Sequence, residues 1–520
     1  MQLALAKQVR GCHPQDRQRE DAGLRLYLAG HAARGVRPAR RPRRTRVNAR
    51  YNGTRMPRRK RLVLVAALGL LIWALPRPAE VSPQAWRLCA IFAATIAGMI
   101  LQAADTGAVV LLGLIAAILT GAMTTAAVLG GFSNSSVWLI VSAFLFSHAV
   151  SATGLGRRVA YVFIRAFGQR TLGLGYALAA SELAIAPAVP ANTARAGGIL
   201  FPIVESIARV CGSTPAEAPR RVGAFLMLNQ FHATVILSAM FLTSMASNPL
   251  IAELALKTAG VKLGWGLWAA AGSVPGLVSL AVVPWLLYRM YPPEMTESPA
   301  APAEARRRLD EMGPMGRAEK ALAAIVGGCL LLWTTTSLHG LDPTTIAFMG
   351  LAAMLLGGVM KWADVIRTAG AWDALVWFGG LVGMADWLSR MGVTAWFARS
   401  VAGHVHGHWW WILLLLAAVY FYSHYGFASL TAHVTAMYGP FLAVAVGAGA
   451  PPVLAAMIFA ICSNLNASLT HYSTGPAPIF FGAGYVDQAT WWKAGLIVSV
   501  VNLAIWGSLG LAWWKLIGIW

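Results

Sequence analysis

The sequence predicts an all-α polytopic membrane protein: two inverted repeats with re-entrant hairpins and broken helices, about 11 transmembrane helices in all. Three observations predict it. The 520 residues are 57% hydrophobic and 12% charged, with mean hydropathy +0.60, whereas soluble domains carry about 25% charged residues. Apolar runs near the ~20 residues that a bilayer requires recur along the chain. Polar, helix-breaking stretches interrupt the apolar pattern at corresponding places in the two halves, 190–198 and 427–433.

Composition also limits function. A soluble enzyme does not fit so apolar a chain, and the 21 Trp suit interfacial belts. The net charge of +22 suggests nucleic acid at first sight, but residues 1–60 hold 17 of the 42 Lys/Arg and 3 of the 20 Asp/Glu, a local +14. Basic segments beside spans report cytoplasmic sidedness before they report a ligand, so no nucleic-acid partner is expected. Cys12, Cys89, Cys211, Cys329 and Cys462 are scattered without C-x-x-C or metal spacing. They read as packing residues, with no disulfide, metal or cofactor expected.

In chain order, residues 1–60 read as a basic disordered tail, an upstream extension as readily as a functional arm. A first helix outside the repeats covers 61–83, repeat 1 covers 84–290, a charged Pro-rich cytoplasmic connector 291–320, and repeat 2 321–520. Span candidates are Leu62–Leu75, Ala85–Ala103, Ala108–Leu129, Leu172–Val189, Ala194–Val210, Gly223–Ser244 and Leu263–Tyr288. They resume at Ala321–Leu338, Ile346–Met360, Leu375–Leu388, Trp409–Tyr422, Leu430–Val446, Leu454–Leu469 and Ala494–Ile519. The run Val137–Val150 is short, which suggests a re-entrant hairpin there.

The halves resemble each other at an offset of about 238 residues: Thr193-Ala-Arg195 falls on Thr431-Ala-His433, and Ser151-Ala-Thr-Gly154 on Ser389-Arg-Met-Gly392. Duplicated halves with paired interruptions point to the midplane site of a secondary transporter. Inversion needs an odd number of crossings, so each half should hold five spans plus one hairpin.

The interruptions carry the candidate chemistry. In Pro190-Ala-Asn-Thr-Ala-Arg195, proline frees backbone ahead of a helix, whose N-terminal N–H groups suit carboxylates; Asn192 and Thr193 add donors. An arginine at membrane depth is by default a functional-site hypothesis; the structural reading pairs Arg195 with a nearby acid such as Glu205 or has it snorkel to the interface. The counterpart, Phe427 to His433, offers Ser429 and Thr431. The facing arms are expected at Asn229–Thr234 through Ser247-Asn-Pro249, and at Thr470–Pro478, which is dense in hydroxyls, Gly and Pro. His232 and His471 flank these arms as donors or as buried neutral rings. Glu182 and Asp386 read as paired structural acids. The run His404-Val-His-Gly-His408 reads as a polar headgroup-level loop rather than a metal site.

Four long motifs, PANTARAGGILFPI (190–203), NQFHATVILSAMFLTSMASNPL (229–250), YSHYGFASLTAHVTAMYGP (422–440) and THYSTGPAPIFFGAGY (470–485), resemble the divalent anion/sodium symporter family. Within it they are most similar to the citrate/succinate antiporter and 2-oxoglutarate/malate translocator branch. NSSVWLIV (134–141) and TGLGRR (153–158) support the match, which runs from about 130 to the end. The resemblance implies a homodimer, an elevator-type transport domain and a carboxylate site built from two hairpin tips. Asn192 and Thr193 match the first tip, Ser429 and Thr431 the second, and Thr474 and Gly475 the loop facing the second. Where the sodium-coupled branch has Ser, Ser and Asn, this chain has Pro187, Ala191 and Leu430. Arg195 and His433 are basic instead.

The expectation is therefore a non-enzymatic secondary transporter in the bacterial inner membrane that exchanges di- or tricarboxylates by elevator-type antiport. Its substrate-binding residues are Asn192, Thr193, Arg195, His232, Ser429, Thr431, His433, His471, Thr474 and Gly475. Sodium- or proton-coupled symport is the alternative, and a membrane-embedded metal-dependent enzyme ranks below both.

Overall fold

The computed structural model describes residues 57–402 and 407–520; the basic tail up to residue 56, with His404 and His406 of the histidine run, lies outside the described residues. Every regular element among the described residues is helical. In chain order they are α1 (Arg58–Ala74), α2 (Pro83–Ile100), α3 (Thr106–Leu119), α4 (Thr125–Gly130), α5 (Ser135–Thr153), α6 (Leu155–Phe167) and α7 (Thr171–Ile185). A π-helical segment (Thr193–Leu200) continues into α8 (Phe201–Val210), followed by α9 (Gly223–Met240), α10 (Asn248–Ala259) and α11 (Trp265–Met290). After α12 (Ala300–Met312) come α13 (Arg317–Thr334), α14 (Pro343–Leu356), α15 (Trp362–Arg367), α16 (Ala369–Arg390), α17 (Val393–Ala402) and α18 (Trp409–Tyr422). The chain ends with α19 (Leu430–His433), a π-helical segment (Val434–Tyr438), α20 (Gly439–Gly447), α21 (Pro452–Leu465), α22 (Pro476–Gly482), α23 (Gln488–Ile505), a further π-helical segment (Trp506–Gly510) and α24 (Leu511–Leu516).

By length and composition, seven helices in the described residues can cross a membrane, and Thr106–Leu119, Pro343–Leu356 and Pro452–Ser468 are shorter apolar ones. Several expectations are corrected. Val137–Val150 belongs to one unbroken 19-residue helix, α5, not to a hairpin; Asn134 caps its start by accepting from the Ser136 N–H at 2.8 Å, and Gly154 ends it at φ +82°. Leu172–Val189 and Ala194–Val210 are two arms of one interrupted element. Within the connector 291–320 the helix α12 forms, with Glu304 accepting from Arg307 and Arg308 at 2.7 Å each. The bonds from Arg307 and Arg308 hold the Glu304 carboxyl below the usual carboxylate range, against a smaller upward push from burial.

The core lies around α9, every residue of which is buried. A helix surrounded on all sides needs no polar face, and α9 packs against α7, α8, α11, α21 and α22. By contrast α1 buries no residue and leans on α2, so its apolar surface is left for lipid.

Candidate functional site: two broken hairpins and two broken helices

Four breaks define the site. The first hairpin stops after α7 because Pro187 and Pro190 remove two N–H donors within four residues, and the chain resumes at Asn192. The second stops after Tyr422 and resumes at Leu430, capped by Ser429, whose Oγ accepts from the Ala432 N–H at 3.4 Å. In both hairpins the arm after the tip is π-helical, 193–200 and 434–438; π-turns collect at functional positions because they cost stability. The two crossing helices break at Phe241–Ser247, between α9 and α10, and at Asn466–Gly475, between α21 and α22.

Freed backbone at membrane depth must find partners in protein, and here much of it does. Arg195 is fully buried and forms an ion pair through Nε to Glu182 at 2.8 Å. Its Nη1 donates to the carbonyls of Val189 at 2.6 Å and Ser244 at 2.7 Å, and its Nη2 to Ser238 Oγ at 3.4 Å. One guanidinium thus ties the first hairpin tip to the broken helix behind it. Glu182 also accepts from Gln230 and from Thr234 Oγ1 at 2.8 Å, while Thr243 Oγ1 donates to the Pro187 carbonyl at 2.6 Å. The pairing of Arg195 with Glu205 is corrected: Glu205 accepts from Arg209 at 2.7 Å. The charge of Arg195 is compensated by Glu182, so it is not a spare cation aimed at a ligand.

At the tip itself, Asn192 Nδ2 donates to Thr474 Oγ1 at 3.2 Å. A Cβ at Gly475 would lie 2.0 Å from Thr193 Oγ1, so the tip approaches the loop where glycine leaves room. Thr474 and Gly475, expected in the loop facing the second tip, themselves meet the first; the same loop also bonds the second hairpin, with Tyr472 Oη donating to the Tyr425 carbonyl at 2.9 Å and His424 Nε2 bonding the Ser473 carbonyl at 3.1 Å. The second hairpin packs against α10, which follows the other break. The two breaks are joined directly, since Asn464 Nδ2 donates to Asn248 Oδ1 at 2.8 Å and Asn248 Nδ2 to the Ser238 and Phe241 carbonyls at 2.9 Å each.

His433 is buried. Its Nε2 bonds Ser423 Oγ at 3.0 Å and its Nδ1 bonds Asn466 Nδ2 at 3.4 Å. The rings of Tyr420, Phe427 and His424 enclose it at 4.5, 4.8 and 5.0 Å. Like Arg195, it holds a tip to a break from behind. Thr431, half-buried, and Ser429 remain on the tip. Among the described residues no hydrogen bond joins them to Asn192 or Thr193. His471 lies on the second break, where its Nδ1 accepts from Trp492 Nε1 at 3.0 Å. His232 is corrected in context: it and Asn229–Thr234 lie inside the unbroken α9, well before the break, and both ring nitrogens of His232 are buried without a hydrogen-bond partner.

Glu182 and Asp386 are both paired, Asp386 with Lys257 at 2.7 Å and Arg390 at 2.9 Å. His408 caps α18. Sequence reading missed the roles of Ser238, Thr243, Ser244, Gln230 and Asn464. The signal that could have found them is two opposite charges, Glu182 and Arg195, set in apolar surroundings 13 residues apart.

Paired hairpins and paired broken helices in an apolar helical scaffold define a polytopic membrane protein of the transporter class. The comparisons sharpen this. A family model described as the sodium:sulfate symporter transmembrane region matches residues 57–520. A Bacillus subtilis protein provisionally named a malate transporter, YflS, is 48% identical over 461 residues, covering 88% of this chain and 96% of that one. The chloroplastic dicarboxylate transporter 1 of Arabidopsis thaliana is 47% identical over 465 residues, covering 89% and 84%. The crystal structure of the Alcanivorax borkumensis YdaH transporter shares the fold at TM-score 0.53 and 14% identity, covering 76% of this chain and 89% of that one. The chain belongs to the sodium:sulfate, or divalent anion:sodium, symporter family.

Proposed function

We propose that the protein is a secondary transporter that exchanges di- or tricarboxylates of the succinate, malate, tartrate, citrate and 2-oxoglutarate class by elevator-type antiport, as a homodimer in a bacterial inner membrane. The family and the names of the relatives support the dicarboxylate class. The two halves are read as inverted repeats spanning 84–290 and 321–520, because the order of elements from α2 to α11 recurs from α13 to α24. Asn192, Thr193, Ser429, Thr431, Thr474 and Gly475 are assigned to carboxylate contact, as neutral donors that bind an anion without carrying net charge. Arg195 and His433 are assigned to bracing the tips. Of the two remaining histidines, His471 lies on a break and is kept as a donor, whereas His232 is read as a buried packing residue.

The observation that carries exchange over sodium coupling is the guanidinium of Arg195 on the carbonyls of Val189 and Ser244. Carbonyl oxygens freed at helix breaks are what a sodium ion needs in such a site, and here a tethered cation already occupies them. The test is counterflow in proteoliposomes preloaded with labelled succinate, with sodium replaced by choline. Unchanged exchange is expected. Abolished exchange would establish sodium symport instead, and stimulation by an inward proton gradient would establish proton symport.

A further inference from the structure

A cavity of about 500 Å³ opens beside the returning arm of the first hairpin. Its wall is shared by Ser151 of α5, Arg157 and Tyr161 of α6, Gly198 and Ser206 of the hairpin arm, and Arg308 of α12. Two guanidinium groups and three hydroxyls line it, and no carboxylate does. Of the nearby acids, Glu205 is engaged by Arg209 at 2.7 Å, whereas Glu304 and Glu311 pair both with Arg307 and with Arg308 of the wall itself. Arg157 is exposed and forms no ion pair or hydrogen bond among the described residues. Gly198 borders open space, with nothing within 4 Å of where its side chain would begin. It follows Asn192 by six residues along the π-helical arm.

We propose that this cavity is the vestibule through which the transported dianion approaches the first tip from the connector side, with Arg157 and Arg308 concentrating it there. The inference rests on the carboxylate-exchange reading. A concave wall of one charge sign, set in low-dielectric protein, focuses the field and raises the local concentration of a doubly charged anion. Arg157 contributes most freely, because Arg308 divides its charge between Glu304 and Glu311. Glycine at 198 adds no side chain to the wall on the side of the tip.

The test compares exchange kinetics of wild type and Arg157→Gln in phosphatidylcholine proteoliposomes. At low ionic strength the variant's KM for succinate should rise roughly three- to ten-fold with kcat unchanged, and the difference should shrink in about 0.5 M salt. An unchanged KM at low salt overturns the proposal, as does a loss of kcat alone. A defect seen only in vesicles with anionic lipid also overturns it, because the guanidinium would then serve a headgroup. A second measurement needs no transport. In Ser206→Cys, an anionic methanethiosulfonate should react faster than a cationic one, and the preference should fall when Arg157→Gln is added. Equal reactivity in both backgrounds overturns the proposal. A wild type that exchanges no dicarboxylate sinks the functional reading, whereas normal wild-type exchange with an unaltered Arg157→Gln sinks this inference alone.

Discussion

Breaking the Glu182–Arg195 pair tests the claim that the first tip is held from behind. Both side chains are fully buried and 2.8 Å apart. Arg195→Gln leaves the Glu182 carboxylate with only its Gln230 and Thr234 donors, and removes the donor from the Val189 and Ser244 carbonyls. Removing one partner of a buried pair costs about 3–5 kcal/mol, because the other charge stays desolvated. Each orphaned carbonyl adds about 1–3 kcal/mol where water does not reach it. Glu182→Gln strands the guanidinium and should cost a similar 3–5 kcal/mol. The double variant should lose less than the two single losses combined, by roughly 2 kcal/mol or more, since it strands neither charge. Unfolding in mixed detergent–SDS micelles, followed by the fluorescence of the 21 Trp, reads these differences. Arg195→Lys should not rescue, because an ammonium lacks the planar fork that reaches Glu182 and two carbonyls at once. Additive single effects, with a coupling below about 0.5 kcal/mol, would refute the bracing role.

Four further outcomes are expected. Asn192→Ala and Thr474→Ala each remove one side of the 3.2 Å contact and should raise KM about ten-fold, the worth of one hydrogen bond of about 1–1.5 kcal/mol, measured by succinate exchange. Gly495→Ala would set a Cβ 2.2 Å from the Ser468 carbonyl oxygen and should cost about 1–3 kcal/mol as the helix is pushed off the second break, read as lower thermal stability in detergent. His433→Phe should preserve the aromatic packing but lose the bonds to Ser423 and Asn466, lowering kcat for exchange more than expression. Glu304 is held below its usual range by Arg307 and Asp487 by Thr490. Their stabilising contribution is present above the unfolded values of about 4.3 and 3.9 and is lost as pH falls through the lower folded ones. Thermal stability should therefore be level from pH 7 to 5 with respect to these groups and fall below about pH 4.

Much of this molecule is legible in its sequence because the bilayer imposes simple rules. Apolar runs must be helical, and polar breaks inside them must be covered by protein. The two helix interruptions, the fact that Glu182 and Asp386 each have a basic partner, and the family follow from residues alone. The helix α5 reads as short because Ser135, Ser136, Ser151 and Thr153 at its two ends do not look apolar; the Asn134 cap and Gly154, not hydropathy, set its length. Asn229–Thr234 was misread as a binding arm because polar residues inside a helix buried on all sides look like a break. In fact Gln230 and Thr234 serve Glu182.

By itself, then, the sequence determined an apolar helical membrane protein with paired interruptions and the residue types at each tip. Local composition and the cost of unpaired backbone in lipid suffice for that. Only the tertiary structure decided which break meets which tip. It set Thr474 and Gly475 against Asn192 and Thr193, and turned Arg195 inward onto Glu182. Contacts between residues hundreds of positions apart depend on how the helices pack, and no local pattern encodes that choice.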